Sequence, residues 1–140
     1  MYDIIIIGGG PAGMTAAIKA KEACMDAEVL IIDRNKKIGK KLYATGNGKC
    51  NLANTELDLS SYHSQNEFFP YQFITVQSSS DVVGFMNELG VRCYTDKGYI
   101  YPASLQASTV VWALSDRLKQ LGVEVHTSEN VVRVESCDTG

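Results

Sequence analysis

Gly8-Gly9-Gly10-Pro11-Ala12-Gly13 fits the spacing G-x-G-x-x-G, and Asp33 follows Gly13 by twenty residues. Such a pattern suits phosphate binding. Gly8 would allow a tight turn, Gly10 would leave no side chain between the backbone and a pyrophosphate, and Gly13 would let a helix lie close on a strand. A helix opening at Pro11 and Ala12 would add free N–H groups and a partial positive charge. Asp33, at the end of a second strand, can accept hydrogen bonds from both hydroxyls of an adenosine ribose. Together these features predict a dinucleotide site. Arg34 and the lysines after it could suggest a 2′-phosphate and hence NADP, but Asp33 would repel that phosphate at close range. The fingerprint itself leaves NAD and FAD open. The long Gly- and Asn-rich stretch after the acid favours FAD, because a flavin ring must be carried on beyond the pyrophosphate.

That stretch, ATGNGKCNLAN over residues 44–54, contains Cys50. A redox disulfide needs a second cysteine a few residues on, and position 55 is Thr55. A zinc site needs partners, and no cysteine or histidine lies within twelve residues. A nucleophile needs a base or a lowered pKa; Lys49 could lower it, but no histidine is near in sequence. Cys50 is therefore expected to be a small wall residue in a loop where Asn47, Asn51 and Asn54 supply amide donors and acceptors. The cysteines at 24, 50, 93 and 137 show no C-x-x-C spacing and are expected to be reduced thiols, and His63 and His126 have no ligand-like neighbours, so no metal site is expected.

The elements around these residues follow from periodicity. Tyr2–Ile7, which ends in four consecutive isoleucines, is predicted to be a strand buried on both faces of a parallel sheet. Ala12, Ala16 and Ala20, with Met14 and Ile18, predict a helix with a small-residue face. Ala27–Ile32 completes a β-α-β unit. Residues 34–66 read as a long functional loop with a helical turn near Ile38–Leu42. Ser80 is the expected N-cap of a helix that stops at Gly90. Val91–Thr95 and Tyr99–Tyr101 are expected strands about the turn Asp96-Lys97-Gly98, with Tyr94, Tyr99 and Tyr101 packing across the sheet. A helix from Gln106 to Leu121 should bury Trp112 with Val110, Val111 and Leu114. Strands are expected at Val123–His126 and Val131–Glu135, and a hairpin turn at the last four residues.

With 140 residues, 45% of them hydrophobic and 21% charged, the chain can bury one core. A formal net charge of −3 gives no support for a nucleic-acid or membrane partner. The longest aliphatic run, Ile4–Ile7, is far below the ~20 residues of a membrane span, and Asp3 replaces the basic start of a signal peptide, so the cytoplasm is expected.

Gly39-Lys40-Lys41-Leu42-Tyr43-Ala44-Thr45-Gly46-Asn47-Gly48-Lys49-Cys50-Asn51-Leu52-Ala53-Asn54 resembles the G-R-K-hydrophobic-x-x-S-G-x-G-R-C-N-x-T-N segment of the HI0933-like flavoproteins. These are bacterial NAD(P)/FAD-dependent oxidoreductases, also labelled the BaiN or aminoacetone oxidase family. Gly98-Tyr99-Ile100-Tyr101-Pro102, followed by Ser104, Ala107 and Ser108, is similar to the family's G-R-x-F-P stretch. The resemblance implies an α/β fold: the Rossmann-like parallel sheet of a glutathione-reductase-type FAD-binding domain, with the start of an antiparallel β-meander. It also implies that residues 1–140 are the N-terminal part of that domain in a longer protein, without the inserted substrate domain or the strand that closes the FAD site.

By the same likeness Thr45, Gly46, Asn47, Gly48, Lys49, Cys50 and Asn51 approach the pyrophosphate and flavin, Lys40 and Lys41 lie near the cofactor, and Val131 touches the adenine through its backbone. With Gly8, Gly10, Pro11, Ala12, Gly13, Asp33 and Arg34 these make the expected cofactor-binding set. Thr45 stands for the family's serine, Lys49 for its arginine and Ala53 for its threonine. Tyr99 stands for an arginine, and a phenol cannot pair with a carboxylate or phosphate as a guanidinium fork does. The expected activity is hydride transfer between a small molecule or NAD(P)H and FAD, with no catalytic acid or base and no oligomeric state assigned, and with the chain alone inactive. An NAD(P)-binding reductase without flavin, and a non-catalytic nucleotide-binding module, are the alternatives.

Overall fold

In the computed structural model, which describes residues 1–56, 61–66 and 78–136, the chain forms two compact units. The first comprises Met1–Leu42 with Leu114–Gly140, and the second Tyr43–Ala113.

The first unit is a β-α-β core. β1 (Ile4–Ile7) leads through the glycine turn into α1 (Pro11–Ala23), and the chain returns as β2 (Val29–Asp33). β1 and β2 pair in parallel with Ile4 opposite Val29, and β6 (Glu124–Thr127) adds to β2 in parallel with Leu30 opposite Glu124. The order is β1-β2-β6. β2 is the central strand, and Val29, Leu30 and Ile31 are buried on both of its faces. Met14, Ala17 and Ile18 of α1 are fully buried, and side chains the size of Met14 and Ile18 contribute about 1.5–3 kcal/mol each when withdrawn from water. The α1–β2 turn is held by a buried lysine, whose Lys21 Nζ donates to the carbonyls of Met25 at 2.5 Å and Ala27 at 3.0 Å.

β1 departs from expectation. It is buried on neither face throughout, because it lies at the sheet's end, with Ile5 54% and Ile7 59% exposed. An aliphatic run marks a strand but does not rank its place in the sheet.

In the second unit, β3 (Ala53–Asn54), β4 (Cys93–Asp96) and β5 (Tyr99–Pro102) form an antiparallel sheet in the order β3-β5-β4. β4 and β5 are joined through Lys97 and Gly98, at φ 48° and 80°, the left-handed pair that a two-residue hairpin turn demands. Ile100 and Pro102 are buried. Tyr94 lies opposite Tyr101 in the ladder, while the Tyr99 and Tyr101 rings tilt together at 6.5 Å along the same strand.

Between β2 and β3 the expected loop carries the short helix α2 (Lys40–Tyr43), and β3 itself pairs Ala53 with Ile100. α3 (Ser78–Glu88) includes Ser80 within the helix rather than at its cap; three consecutive serines offer equivalent capping side chains, and sequence does not choose among them. α4 (Ala107–Gln120) contributes residues to both units and buries Val110, Val111 and Leu114. Trp112 is 68% exposed, contrary to expectation. At a hundred degrees per residue, position 112 falls opposite the stripe Val110, Leu114 and Leu118.

Val131–Glu135 is not a strand, since no ladder partner faces it among the described residues, and Val132 and Val134 are exposed. The expected terminal hairpin turn lies outside the described residues. No helix among the described residues is long and apolar enough to cross a membrane.

Candidate functional site

The glycine turn divides its labour among its members. Gly8 sits at φ 105°, where a side chain is strained, and its N–H donates to the Ile32 carbonyl at 2.8 Å, anchoring the turn to β2. A Cβ on Gly13 would lie 1.9 Å from the Gly8 carbonyl oxygen, so helix and turn approach as closely as expected. A Cβ on Gly10 would meet nothing within 4 Å. Gly10 is the N-cap of α1, with no side-chain cap, and Pro11 follows at the first helical turn. The first-turn N–H groups of a helix, here those of Ala12 and Gly13, lack intrahelical partners and lie at the positive end of α1.

Gly9, at a variable position of the pattern, is a requirement the sequence reading missed. A Cβ there would stand 2.3 Å from Ile38 Cγ2 and 3.2 Å from Asp33 Oδ2. Its N–H donates to Asp33 Oδ2 at 2.7 Å, while Asp33 Oδ1 accepts from the backbone N–H of Asn35 at 2.7 Å and its side-chain amide at 2.8 Å. Asp33 is only 8% exposed. Burial pushes its carboxyl up, but the Asn35 N–H, the Asn35 amide, the Gly9 N–H and the Arg34 guanidinium outweigh it, and the group falls below the ordinary aspartate range. It is a carboxylate at neutral pH.

Beside it lies a cavity of about 280 Å³ lined by Gly8, Asp33, Arg34, Asn35, Glu129 and Val131, among others. Asp33, Arg34 and Val131, predicted from widely separated positions, are thus brought together. Glu129 and Asn35 complete this wall and were not foreseen; the Asx-turn potential of Asp33-Arg34-Asn35 was the available signal for Asn35. The Ser128 and Glu129 N–H groups donate to the carbonyls of Asn35 at 2.9 Å and Asp33 at 3.1 Å, fixing this segment on the end of β2. Lys40 and Lys41 are exposed on α2, and Lys40 Nζ lies 3.4 Å from Asn35 Oδ1.

In the second unit, Thr45 to Asn51 form a tight loop. The N–H groups of Gly48 and Cys50 both donate to the Thr45 carbonyl, and that of Lys49 to Gly46. Gly46, Asn47, Gly48 and Cys50 all have positive φ, which accounts for a composition of glycine and asparagine. A Cβ on Gly46 would lie 3.0 Å from the Asn51 nitrogen and 3.2 Å from the Tyr101 ring. Cys50 is fully buried, and burial pushes its thiol up, opposed only by a hydrogen bond with Thr45. A protonated, enclosed thiol is a poor nucleophile. Among the described residues no group of His, Cys, Asp and Glu could hold a metal, and Cys24, Cys50 and Cys93 are free thiols.

The HI0933-like protein Rossmann domain model matches residues 2–140. A 3-dehydro-bile acid delta(4,6)-reductase of Clostridium scindens is 40% identical over 136 residues, covering 97% of this chain and 32% of the relative. A ribosomal RNA dihydrouridine synthase of Escherichia coli is 30% identical over 140 residues, covering 99% of this chain and 34% of the relative. The chain thus spans about a third of the length of these curated relatives. Among solved structures, THI4 of Thermovibrio ammonificans aligns with a TM-score of 0.60 and 18% identity, over 90% of this chain and 38% of that one, a likeness of fold.

Proposed function

Because the chain belongs to the HI0933-like family of Rossmann-domain proteins, we propose that it is the FAD-binding part of a flavoprotein oxidoreductase that transfers hydride between NAD(P)H or a small molecule and the flavin. The observation that carries this reading is the open space at Gly10, set between the closely packed Gly9 and Gly13 at the unsatisfied N-terminus of α1. A turn built only for packing has no use for a glycine at that one position. A pyrophosphate fits it: free N–H groups, a positive dipole end and no side chain.

In this reading Gly8, Gly10, Pro11, Ala12 and Gly13 cradle the pyrophosphate, and Asp33, Arg34 and Val131 wall the adenosine. Lys40 and Lys41 add positive charge near the phosphates. Thr45, Gly46, Asn47, Gly48, Lys49, Cys50 and Asn51 are assigned to the flavin end on the family's pattern. FAD, when bound, supplies the electron-transfer chemistry, and the protein supplies position and electrostatics. The Clostridium scindens relative is named a reductase, and we extend a reductive role to this chain's protein. A small molecule, rather than nucleic acid or a membrane, is the proposed partner, in keeping with the net charge of −3 and with the bile-acid enzyme being the more similar of the two relatives. The proposed setting is the cytoplasm.

Equilibrium titration of the purified chain with FAD, followed by flavin fluorescence, tests the binding. Saturable binding is expected. A chain that binds NADH but not FAD refutes the reading in favour of a flavin-free reductase.

A further inference from the structure

Asp33 has little hydrogen-bonding capacity left for a ribose. A carboxylate offers about four lone-pair sites, and three are filled by the Gly9 N–H, the Asn35 N–H and the Asn35 side-chain amide. An adenosine ribose brings two hydroxyl donors, so Asp33 can serve one at most. The cavity beside it contains one other carboxylate among its lining residues, Glu129.

Glu129 is placed for the missing role. Its backbone N–H is fixed to the Asp33 carbonyl at 3.1 Å, which sets the two acids side by side at the end of β2. Its Oε1 lies 3.5 Å from His126 Nδ1, and the other ring nitrogen, Nε2, lies 2.7 Å from Glu124 Oε1. The side chain is 56% exposed, and Glu129 lines the cavity together with Asp33.

We propose that Glu129 accepts one ribose hydroxyl of the bound nucleotide, and that Asp33 chiefly positions the glycine turn through Gly9 and accepts at most the other hydroxyl. This rests on the reading of the cavity as an adenosine site. It divides between two acids a function that the fingerprint alone gives to one.

The test is isothermal titration of the full chain with ADP, 2′-deoxy-ADP and 3′-deoxy-ADP, in wild type and Glu129→Ala. Loss of a hydrogen bond to a charged acceptor weakens binding by about tenfold or more. Wild type should therefore prefer ADP over each deoxy analogue. In Glu129→Ala, ADP should weaken about tenfold and discrimination against one analogue should vanish while the other persists. Glu129→Gln, which keeps an acceptor oxygen, should retain part of the discrimination. Two results overturn the proposal: unchanged discrimination against both analogues in Glu129→Ala, or tighter ADP binding in that variant, which would make Glu129 a repulsive neighbour of the phosphates. Failure of the wild type to bind any of the three nucleotides would instead overturn the nucleotide reading, and this proposal with it.

Discussion

Gly10 and Gly13 are three residues apart in one turn, and the structure predicts opposite consequences when each gains a side chain. In Gly13→Ala the new methyl would stand 1.9 Å from the Gly8 carbonyl oxygen, 3.1 Å from the Gly8 carbonyl carbon and 3.2 Å from Ile6 Cγ2. The first distance is more than an ångström inside the ~3.5 Å at which nonbonded heavy atoms rest. Gly8 cannot yield easily, because its N–H is tied to Ile32 at 2.8 Å, so α1 must lift from the sheet. Overpacking of this kind costs about 1–3 kcal/mol, and a clash with backbone belongs at the upper end. Alanine's better helix propensity returns at most ~1 kcal/mol. The net loss, about 2 kcal/mol, should lower Tm by roughly 5–10 °C.

Gly10→Asp reverses the pattern. The site has φ −78° and no neighbour within 4 Å, so the side chain is accommodated. Aspartate is a favoured N-cap and its charge suits the helix dipole, which together should stabilise by up to about 1 kcal/mol. The same carboxylate occupies the proposed pyrophosphate position and repels it, so FAD affinity should fall at least tenfold. Circular dichroism melts and FAD titrations of both variants decide the matter. An unchanged Tm in Gly13→Ala refutes the packing argument, and unchanged FAD affinity in Gly10→Asp refutes the pyrophosphate assignment.

His126 carries a raised pKa, first through its hydrogen bond with Glu124 and further through Glu129, against desolvation. A raised folded pKa stabilises fully below the unfolded histidine value of about 6.5 and is lost as pH climbs through the folded value, so the Tm difference between wild type and His126→Gln should shrink from about pH 5.5 to about pH 8; a widening gap would contradict it. Lys21→Met keeps the buried stem but leaves the Met25 and Ala27 carbonyls without their ammonium donor, and urea unfolding should show a loss of about 1–3 kcal/mol. An unchanged midpoint would mean that water replaces the lysine. Among the described cysteines, iodoacetamide should modify exposed Cys24 first and half-buried Cys93 more slowly, reaching Cys50 only after denaturation; prompt labelling of Cys50 in the folded chain would restore it as a reagent. Consistent with a wall role, Cys50→Ser should retain FAD.

The β-α-β unit was legible because three local signals agree on it. An aliphatic run, a glycine turn with proline at the helix start, and a second aliphatic run each imply the next element, and none depends on distant partners. Strand order is not local. β6 pairs with β2 from more than ninety residues away, and whether an isoleucine run ends inside a sheet or at its end depends on which strands join it. Val131–Glu135 shows the same limit from the other side, since valine spacing supplies β propensity but not a ladder partner. Trp112 was misplaced for a simpler reason: hydrophobicity suggested burial where helical phase, fixed by Val110 and Leu114, turned it outward.

At the candidate site, sequence spacing placed the glycines in the turn and the acid at the strand end, but not how their hydrogen bonds are used. Gly8, Gly10, Gly13 and Asp33 occupy the places their spacing implied, yet the pattern treats Gly9 as variable when Ile38 and Asp33 leave it no room for a side chain. The acid was expected to accept hydrogen bonds from both hydroxyls of an adenosine ribose. Aspartate is one methylene shorter than glutamate, and from the end of β2 its carboxylate reaches back to the Gly9 N–H and sideways to Asn35. A buried carboxylate bonds to the nearest fixed donors, and here those donors belong to the turn itself. The acid expected to hold the ligand is therefore bound into the turn beside Gly10, and the proposed sharing of ribose recognition falls to Glu129, a residue that no spacing rule would single out.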